Sequence, residues 1–213
     1  MTKITKASLA YLIGNTMYIN VTNLCTNNCV FCIRNIENAI ADANLWLESE
    51  NITAQDIICE LKEKSPEKRD EIVFCGYGEP LIKLDIVKEV AKFIKDNYPD
   101  VPVRVNTNGH ANLIHKRNVV PVLAGLIDSV SVSLNAENAE LYGKISGCTY
   151  NSELAFDAVK EFIGSCAKNG IDTTATIVTG FEDYIVDVDK CRVITESLGA
   201  KFRVREWLDS GYN

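Results

Sequence analysis

Residues 25–32 read CTNNCVFC, which places Cys25, Cys29 and Cys32 in eight positions. Thiols this close can converge on one metal centre with little loop-closure cost. Structural zinc is almost always four-coordinate. No fourth Cys or His lies nearby: the next cysteine is Cys59, and the histidines are His110 and His115. The trio therefore reads as a zinc site completed from a distance, or as a [4Fe–4S] cluster on three thiolates with one iron open to a non-protein ligand. Cys59, Cys75, Cys148, Cys166 and Cys191 are scattered, and each is expected to be a small buried apolar side chain. Cys191 shares a helical stripe with Val188, Ile194 and Leu198.

Other stretches carry polar chemistry. In CGYGEP (75–80), Gly76 and Gly78 let a main chain approach a ligand closely, although an ordinary strand-to-helix turn uses the same residues. Asn106, Asn108, Ser133 and Asn135 sit where strands end and can bind a ligand or satisfy turn backbone. Arg203 and Arg205 suit a carboxylate or phosphate, or are surface charge. Arg34 follows the cysteine loop, and His110 and His115 read as exposed or capping residues at a helix start.

The elements that must position these residues alternate between strand and helix patterns. Strands are expected at 17–22, 71–76, 101–109, 128–135, 172–178 and 201–207. Helices are expected at 53–64, opened by Thr53 with Asp56 three places on, and at 85–99, where Asp85 can cap. Further helices are expected at 118–127, 152–170 and 186–199. Six strands alternating with helices predict an α/β fold with a parallel sheet joined by right-handed crossovers. Both an open doubly wound sheet and part of a (β/α) barrel satisfy that pattern. Alternation within strands separates them: Val130, Val132 and Leu134 oppose Ser129, Ser131, Ser133 and Asn135. A doubly wound sheet is apolar on both faces, so the polar face favours a curved sheet with helices outside. Segment 33–52 is long for a βα connection and reads as a lid, a partner contact or a short packed helix.

The 213 residues suit one domain, and the net charge of −7 argues against a broad nucleic-acid surface. No signal-like or membrane-length apolar run is present, so a cytoplasmic protein is expected, and its eight cysteines are not a disulfide framework.

C-x3-C-x2-C directly after a first strand resembles the radical SAM superfamily, in which an aromatic residue, here Phe31, often precedes the third cysteine. CGYGEP resembles that family's GGEP element, with Tyr77 at the second glycine position. NTNG (106–109) is similar to the T-N-G ending of the family's third strand, and SVSLN (131–135) to its fourth strand. The likeness runs along essentially the whole chain. It implies a single-domain partial (β/α)6 TIM-type barrel over 1–213, with the cluster loop at 23–34. It implies a [4Fe–4S] cluster on Cys25, Cys29 and Cys32, chelated by S-adenosylmethionine (SAM). The backbone of Gly76, Tyr77, Gly78 and Glu79 would meet the methionine amino group. Phe31, Asn106, Asn108, Ser133, Asn135 and Ile177 would be the other cofactor contacts, with Ile177 against adenine. The family reaction passes one electron to the sulfonium, releasing methionine and a 5′-deoxyadenosyl radical that takes hydrogen from a substrate. A flavodoxin or ferredoxin reductant is implied. More narrowly, YINVTNLCTNNCVFCIR and FCGYGEP resemble the TatD-associated radical SAM proteins, which implies a functional link to a TatD-like hydrolase. An iron–sulfur electron carrier and a zinc-stabilised binding module are the non-catalytic alternatives.

Overall fold

The computed structural model describes residues 7–35, 39–40 and 43–207. Strands β1 (Ala10–Ile13) and β2 (Thr16–Ile19) form an antiparallel hairpin. A small antiparallel pair follows, β3 (Ala39–Ile40) with β4 (Ala43–Asn44). Parallel strands then extend from β2: β5 (Ile72–Phe74), β6 (Val103–Thr107), β7 (Ser129–Ser133), β8 (Asp172–Thr179) and β9 (Lys201–Glu206). The main sheet runs β1-β2-β5-β6-β7-β8-β9. Its parallel strands lie in chain order, so each crossover steps the same way and the connecting helices collect on one face.

Those helices are α1 (Ala54–Lys62), α2 (Leu84–Asn97), α3 (Ala111–His115), α4 (Val120–Leu123), α5 (Ala139–Ser146), α6 (Ser152–Lys168) and α7 (Val188–Ser197). Ile19, Phe74, Val105, Val132, Ala175 and Ile177 share the face they cover and are fully buried. Burying a side chain of the Val, Ile or Phe type contributes about 1.5–3 kcal/mol, so this face is where the sheet gains its stability. The other face carries Tyr18, Arg104, Ser129, Ser131, Ser133, Thr174, Arg203 and Arg205. The fold is thus mixed α/β around one mainly parallel sheet with an antiparallel edge strand, apolar on one side and polar on the other.

Local signals hold at several ends. Thr53 and Asp56 form the expected capping box: Asp56 N donates to Thr53 Oγ1 at 3.2 Å, and Thr53 N donates to Asp56 Oδ2 at 2.9 Å. The Asn151 side chain caps α6, and Gly170 follows that helix with φ +77°. Elsewhere the chain departs from expectation. Asp85 does not cap α2; a 3-10 turn, Pro80–Lys83, runs straight into that helix and is itself capped by Glu79. The helix expected over 118–127 shrinks to α4, because Gly125 at φ +83° turns the chain. The short elements β1, α3 and α5 carry too few residues for a periodic pattern to be seen. Cys166 and Cys191 are buried as expected, but Cys59 is exposed on α1, and Cys75 and Cys148 are half-buried.

Residues 36–38 and 41–42 of segment 33–52 lie outside the described residues. Its second half is strapped to the end of β2. Asn20 Nδ2 donates to Leu45 O at 2.7 Å, and Asn23 exchanges side-chain hydrogen bonds with both backbone groups of Leu47. The Glu50 carboxylate accepts from Thr22 Oγ1 at 2.6 Å and Asn23 N at 2.9 Å. Leu45 is fully buried in a cluster with Tyr11, Ala43 and Tyr77, while Trp46 stays exposed and its ring meets Tyr77 at 5.1 Å.

Candidate active site

The cysteine loop leaves the C-terminal end of β2, the end at which a parallel α/β sheet places its ligands. It is clamped from three sides. The turn after β5 packs so closely that a Cβ on Gly76 would strike Asn20 Oδ1, and one on Gly78 would strike the Thr22 carbonyl. Gly76 is thus demanded by the Asn20 side chain and Gly78 by the backbone of residues 22–24, quite apart from any ligand. Glu79 N donates to Leu24 O at 2.8 Å, which completes that clamp.

From the second side comes the turn after α5. Asn28 N donates to Ser146 O at 3.0 Å, Val30 N to Ile145 O at 2.9 Å, and Thr149 N to Thr26 O at 2.9 Å. Gly147, at φ +52°, lies so near that a Cβ would sit 2.6 Å from Asn28 O.

The third clamp is a buried polar network. Thr26 Oγ1 accepts from Asn108 Nδ2 at 2.9 Å and meets His110 Nδ1 at 3.0 Å. His110 Nε2 meets the Tyr142 hydroxyl at 2.9 Å, and that hydroxyl accepts from Asn27 Nδ2 at 3.3 Å. His110 is fully buried, contrary to the exposed or capping role expected for it, and burial pushes its pKa down to about 4. Sequence reading missed Tyr142 and Thr26 altogether, since nothing local marks a tyrosine over a hundred residues away as the loop's partner. His115 ties Nε2 to the Leu81 carbonyl at 2.7 Å.

The loop is turned by its own backbone. Cys32 N donates to Cys29 O at 3.0 Å, and Asn35 N to Cys32 O at 3.0 Å. Cys25 Sγ accepts from Asn27 N at 3.4 Å, with Asn108 Nδ2 at 3.8 Å. Burial, then the Glu79 carboxylate, pushes the Cys25 thiol up to about 11. Burial, then Cys32 and Cys25, pushes Cys29 up to about 12. Arg34 acts against both shifts and reaches Asn23 O and Asn28 Oδ1 at 3.4 Å. Among the described residues no three His, Cys, Asp or Glu side chains form a preformed metal-binding group. The donor set nonetheless suits an iron–sulfur cluster: three thiols on one loop, with hydrogen bonds to the Cys25 sulfur.

The remaining candidates divide. Glu79 is fully engaged inside the protein, accepting from Thr107 Oγ1 at 2.8 Å, Leu81 N at 3.0 Å and Asn108 N at 2.6 Å, while burial pushes its pKa up to about 7. Asn106 Oδ1 accepts from Arg104 at 3.0 Å. Asn135 sits at φ +63°, a left-handed conformation that asparagine tolerates, and its buried Oδ1 has no partner. Buried Oδ1 atoms of Asn20 and Asn27 are also unpartnered, so three acceptors near this mouth are unspent. Ser133 is half-buried on the polar face. Tyr77 is buried in the cluster with Tyr11, Ala43 and Leu45. Phe31 is buried and meets Phe181 edge-on at 6.1 Å. Ile177 shares the helix-covered face with Val132 and Ala175. No helix among the described residues is long and apolar enough to cross a membrane.

Comparison with known proteins agrees with this geometry. Residues 19–190 match the family model for the Radical SAM superfamily. The dual-specificity RNA methyltransferase RlmN of Hyphomonas neptunium is 24% identical over 178 residues, which covers 76% of this chain and 43% of that protein. This chain thus spans less than half the length of that curated relative. Among solved structures, TYW1 with a lysine-pyruvate adduct superposes with a TM-score of 0.63 at 15% identity, covering 93% of this chain and 67% of that one. SuiB of Streptococcus suis bound to S-adenosylmethionine superposes with a TM-score of 0.59 at 16% identity, covering 90% and 38%. At these identities the structural matches speak for the fold.

Proposed function

The chain belongs to the radical SAM superfamily, and from that membership we propose that it is an enzyme holding a [4Fe–4S] cluster on Cys25, Cys29 and Cys32. The observation that carries this reading is the triple clamp on the cysteine loop, with the turns after β5, β6 and α5 all bonded to residues 22–30. When bound, the cluster and SAM supply reductive cleavage of the sulfonium to a 5′-deoxyadenosyl radical.

The chain's own residues bind and orient. The backbone of Gly76, Tyr77, Gly78 and Glu79 lines the mouth for the methionine end of SAM. Unspent carbonyl oxygens of Asn20, Asn27 and Asn135 offer acceptors to a cationic or N–H-bearing ligand. Glu79 acts by holding Asn108 in place. Phe31, Asn106, Asn108, Ser133 and Ile177 complete the proposed cofactor surroundings, Ile177 from within the core. The proposal takes 1–213 as one radical SAM core domain, curved as a partial (β/α)6 barrel. It assigns the chain to the TatD-associated group, on sequence likeness, with a flavodoxin or ferredoxin as reductant and a functional link to a TatD-like hydrolase.

The test is anaerobic reconstitution with iron and sulfide, reduction, and EPR with and without SAM, followed by assay for 5′-deoxyadenosine. A cluster signal that shifts with SAM, with 5′-deoxyadenosine formed, is the expected result. A cluster indifferent to SAM would make the chain an electron carrier, and zinc alone would end the reading.

A further inference from the structure

Asn108 closes a ring of hydrogen bonds that starts and ends on the Cys25 sulfur. Its Nδ2 donates to Cys25 Sγ at 3.8 Å and to Thr26 Oγ1 at 2.9 Å. Thr26 Oγ1 meets His110 Nδ1 at 3.0 Å, and His110 Nε2 meets the Tyr142 hydroxyl at 2.9 Å. That hydroxyl accepts from Asn27 Nδ2 at 3.3 Å, and Asn27 N donates back to Cys25 Sγ at 3.4 Å. The ring joins the cysteine loop to the turn after β6 and to α5, so the Asn108 donor is held against the sulfur from several elements at once.

The orientation of the Asn108 amide is fixed by its neighbours. Oδ1 accepts His110 N at 3.0 Å, and a backbone N–H can only donate. The nitrogen must therefore face the other way, with one N–H for Thr26 and one for the sulfur. Glu79 Oε2 holds Asn108 N at 2.6 Å, and the residue is buried. Both side-chain N–H groups are thus spent inside the protein, and neither is left to reach SAM.

We infer that Asn108 is a positioning residue that acts through Cys25: its amide donates to the sulfur and so raises the reduction potential of the cluster held there. A neutral thiol is a weak acceptor, but a ligating thiolate carries charge, and hydrogen bonds to charge are stronger. An added electron puts more charge on the sulfurs, so the N–H favours the reduced form; hydrogen bonds to sulfur are among the influences that set such potentials. The family reaction begins with that electron, and Asn108 eases its uptake. The inference rests on the [4Fe–4S] reading of Cys25, Cys29 and Cys32.

The test is a potentiometric titration, read by EPR, of the full chain with its cluster reconstituted and SAM left out, using dithionite and viologen mediators. Wild type, Asn108→Ala and Asn108→Asp are compared, with SAM affinity measured on separate portions of the same samples. Alanine removes the donor and is expected to make reduction about threefold less favourable, about 28 mV for one electron. Aspartate keeps the acceptor for His110 N but turns an oxygen to the sulfur, and is expected to cost about tenfold, about 59 mV. A residue that only braced the loop would change stability and iron retention but not the potential of the cluster that assembles, and an unmoved potential in both variants overturns the inference. Weaker SAM binding at unchanged potential also overturns it, by giving Asn108 to SAM. If neither variant takes up iron, wild type decides: with 15N at the asparagine side-chain amides, the ENDOR spectrum of the reduced protein is expected to show a 15N coupling, and its absence overturns the inference. No cluster in wild type ends the radical SAM reading and the inference with it, whereas an unmoved potential leaves that reading standing.

Discussion

Glu79 Oε2 accepts the backbone N–H of Asn108 at 2.6 Å, and so fastens the turn after β5 to the turn after β6. Its other oxygen takes Thr107 Oγ1 and Leu81 N. Glu79→Gln must turn an N–H group towards a donor already there. Leaving such a buried group unsatisfied costs about 1–3 kcal/mol. The expected outcome is a lower urea midpoint with unchanged m-value, and weaker retention of iron. A midpoint equal to wild type would show that the carboxylate fastens nothing.

His110 makes stability depend on pH. Burial lowers its pKa from 6.5 to about 4, so between those values the unfolded chain is protonated and the folded chain is not. Stability therefore falls as pH drops through that window, by up to about 3 kcal/mol. Glu79 works in the opposite sense: raised from 4.5 to about 7, it contributes stability at low pH that is lost as pH rises towards 7. His110→Gln removes only the first effect. Its stability relative to wild type should improve steadily from pH 6.5 to 4, measured by chemical denaturation. Parallel curves would contradict the buried neutral imidazole.

The cysteines should separate by role. Alanine at Cys25, Cys29 or Cys32 is expected to abolish iron uptake, whereas alanine at Cys148, Cys166 or Cys191 is not. In the folded chain, iodoacetamide should modify exposed Cys59 first and buried Cys166 and Cys191 last, since burial pushes both of the latter up to about 12. Mass spectrometry of labelled peptides reads the order directly. Full iron uptake by any of the first three variants would remove that residue from the ligand set.

Two glycine substitutions make a matched pair. Gly78→Ala drives a methyl group into the Thr22 carbonyl, and overpacking of that kind costs about 1–3 kcal/mol. Gly164→Ala, inside α6, meets only Leu198 Cδ2 at 3.4 Å and should be neutral or stabilising by up to about 1 kcal/mol through helix propensity. Thermal melts distinguish them. A harmless Gly78→Ala would mean that the turn has room which the structure denies it.

Much of the architecture was legible beforehand because it is written in short-range pattern. The 2.0 period of 129–135 separates Val130 and Val132 from the serines, and that split is the two-faced sheet. Thr53 and Asp56 announce α1, since a capping box needs only four consecutive residues. Where the pattern is too short, reading failed: α3 and α5 span five and eight residues, and a single apolar face of that length does not stand out. Asp85 looked like a cap because its type is right, but the preceding 3-10 turn had already supplied the helix start.

By itself, then, the sequence determined the three thiols at metal-ligand spacing, the alternating elements that deliver them to one end of a sheet, and the likeness that assigns the family. Only the tertiary structure decided what holds the thiols there. Asn27 meets Tyr142 across 115 positions of chain, and Thr26 meets His110 across 84. Glu79 is turned inward to Asn108, and Gly147 is wedged beneath Asn28. Local propensity cannot encode such pairings. They exist because the burial of the sheet's apolar face brings the C-terminal turns of separate strands together, and each buried polar group must then find its partner among whatever has arrived.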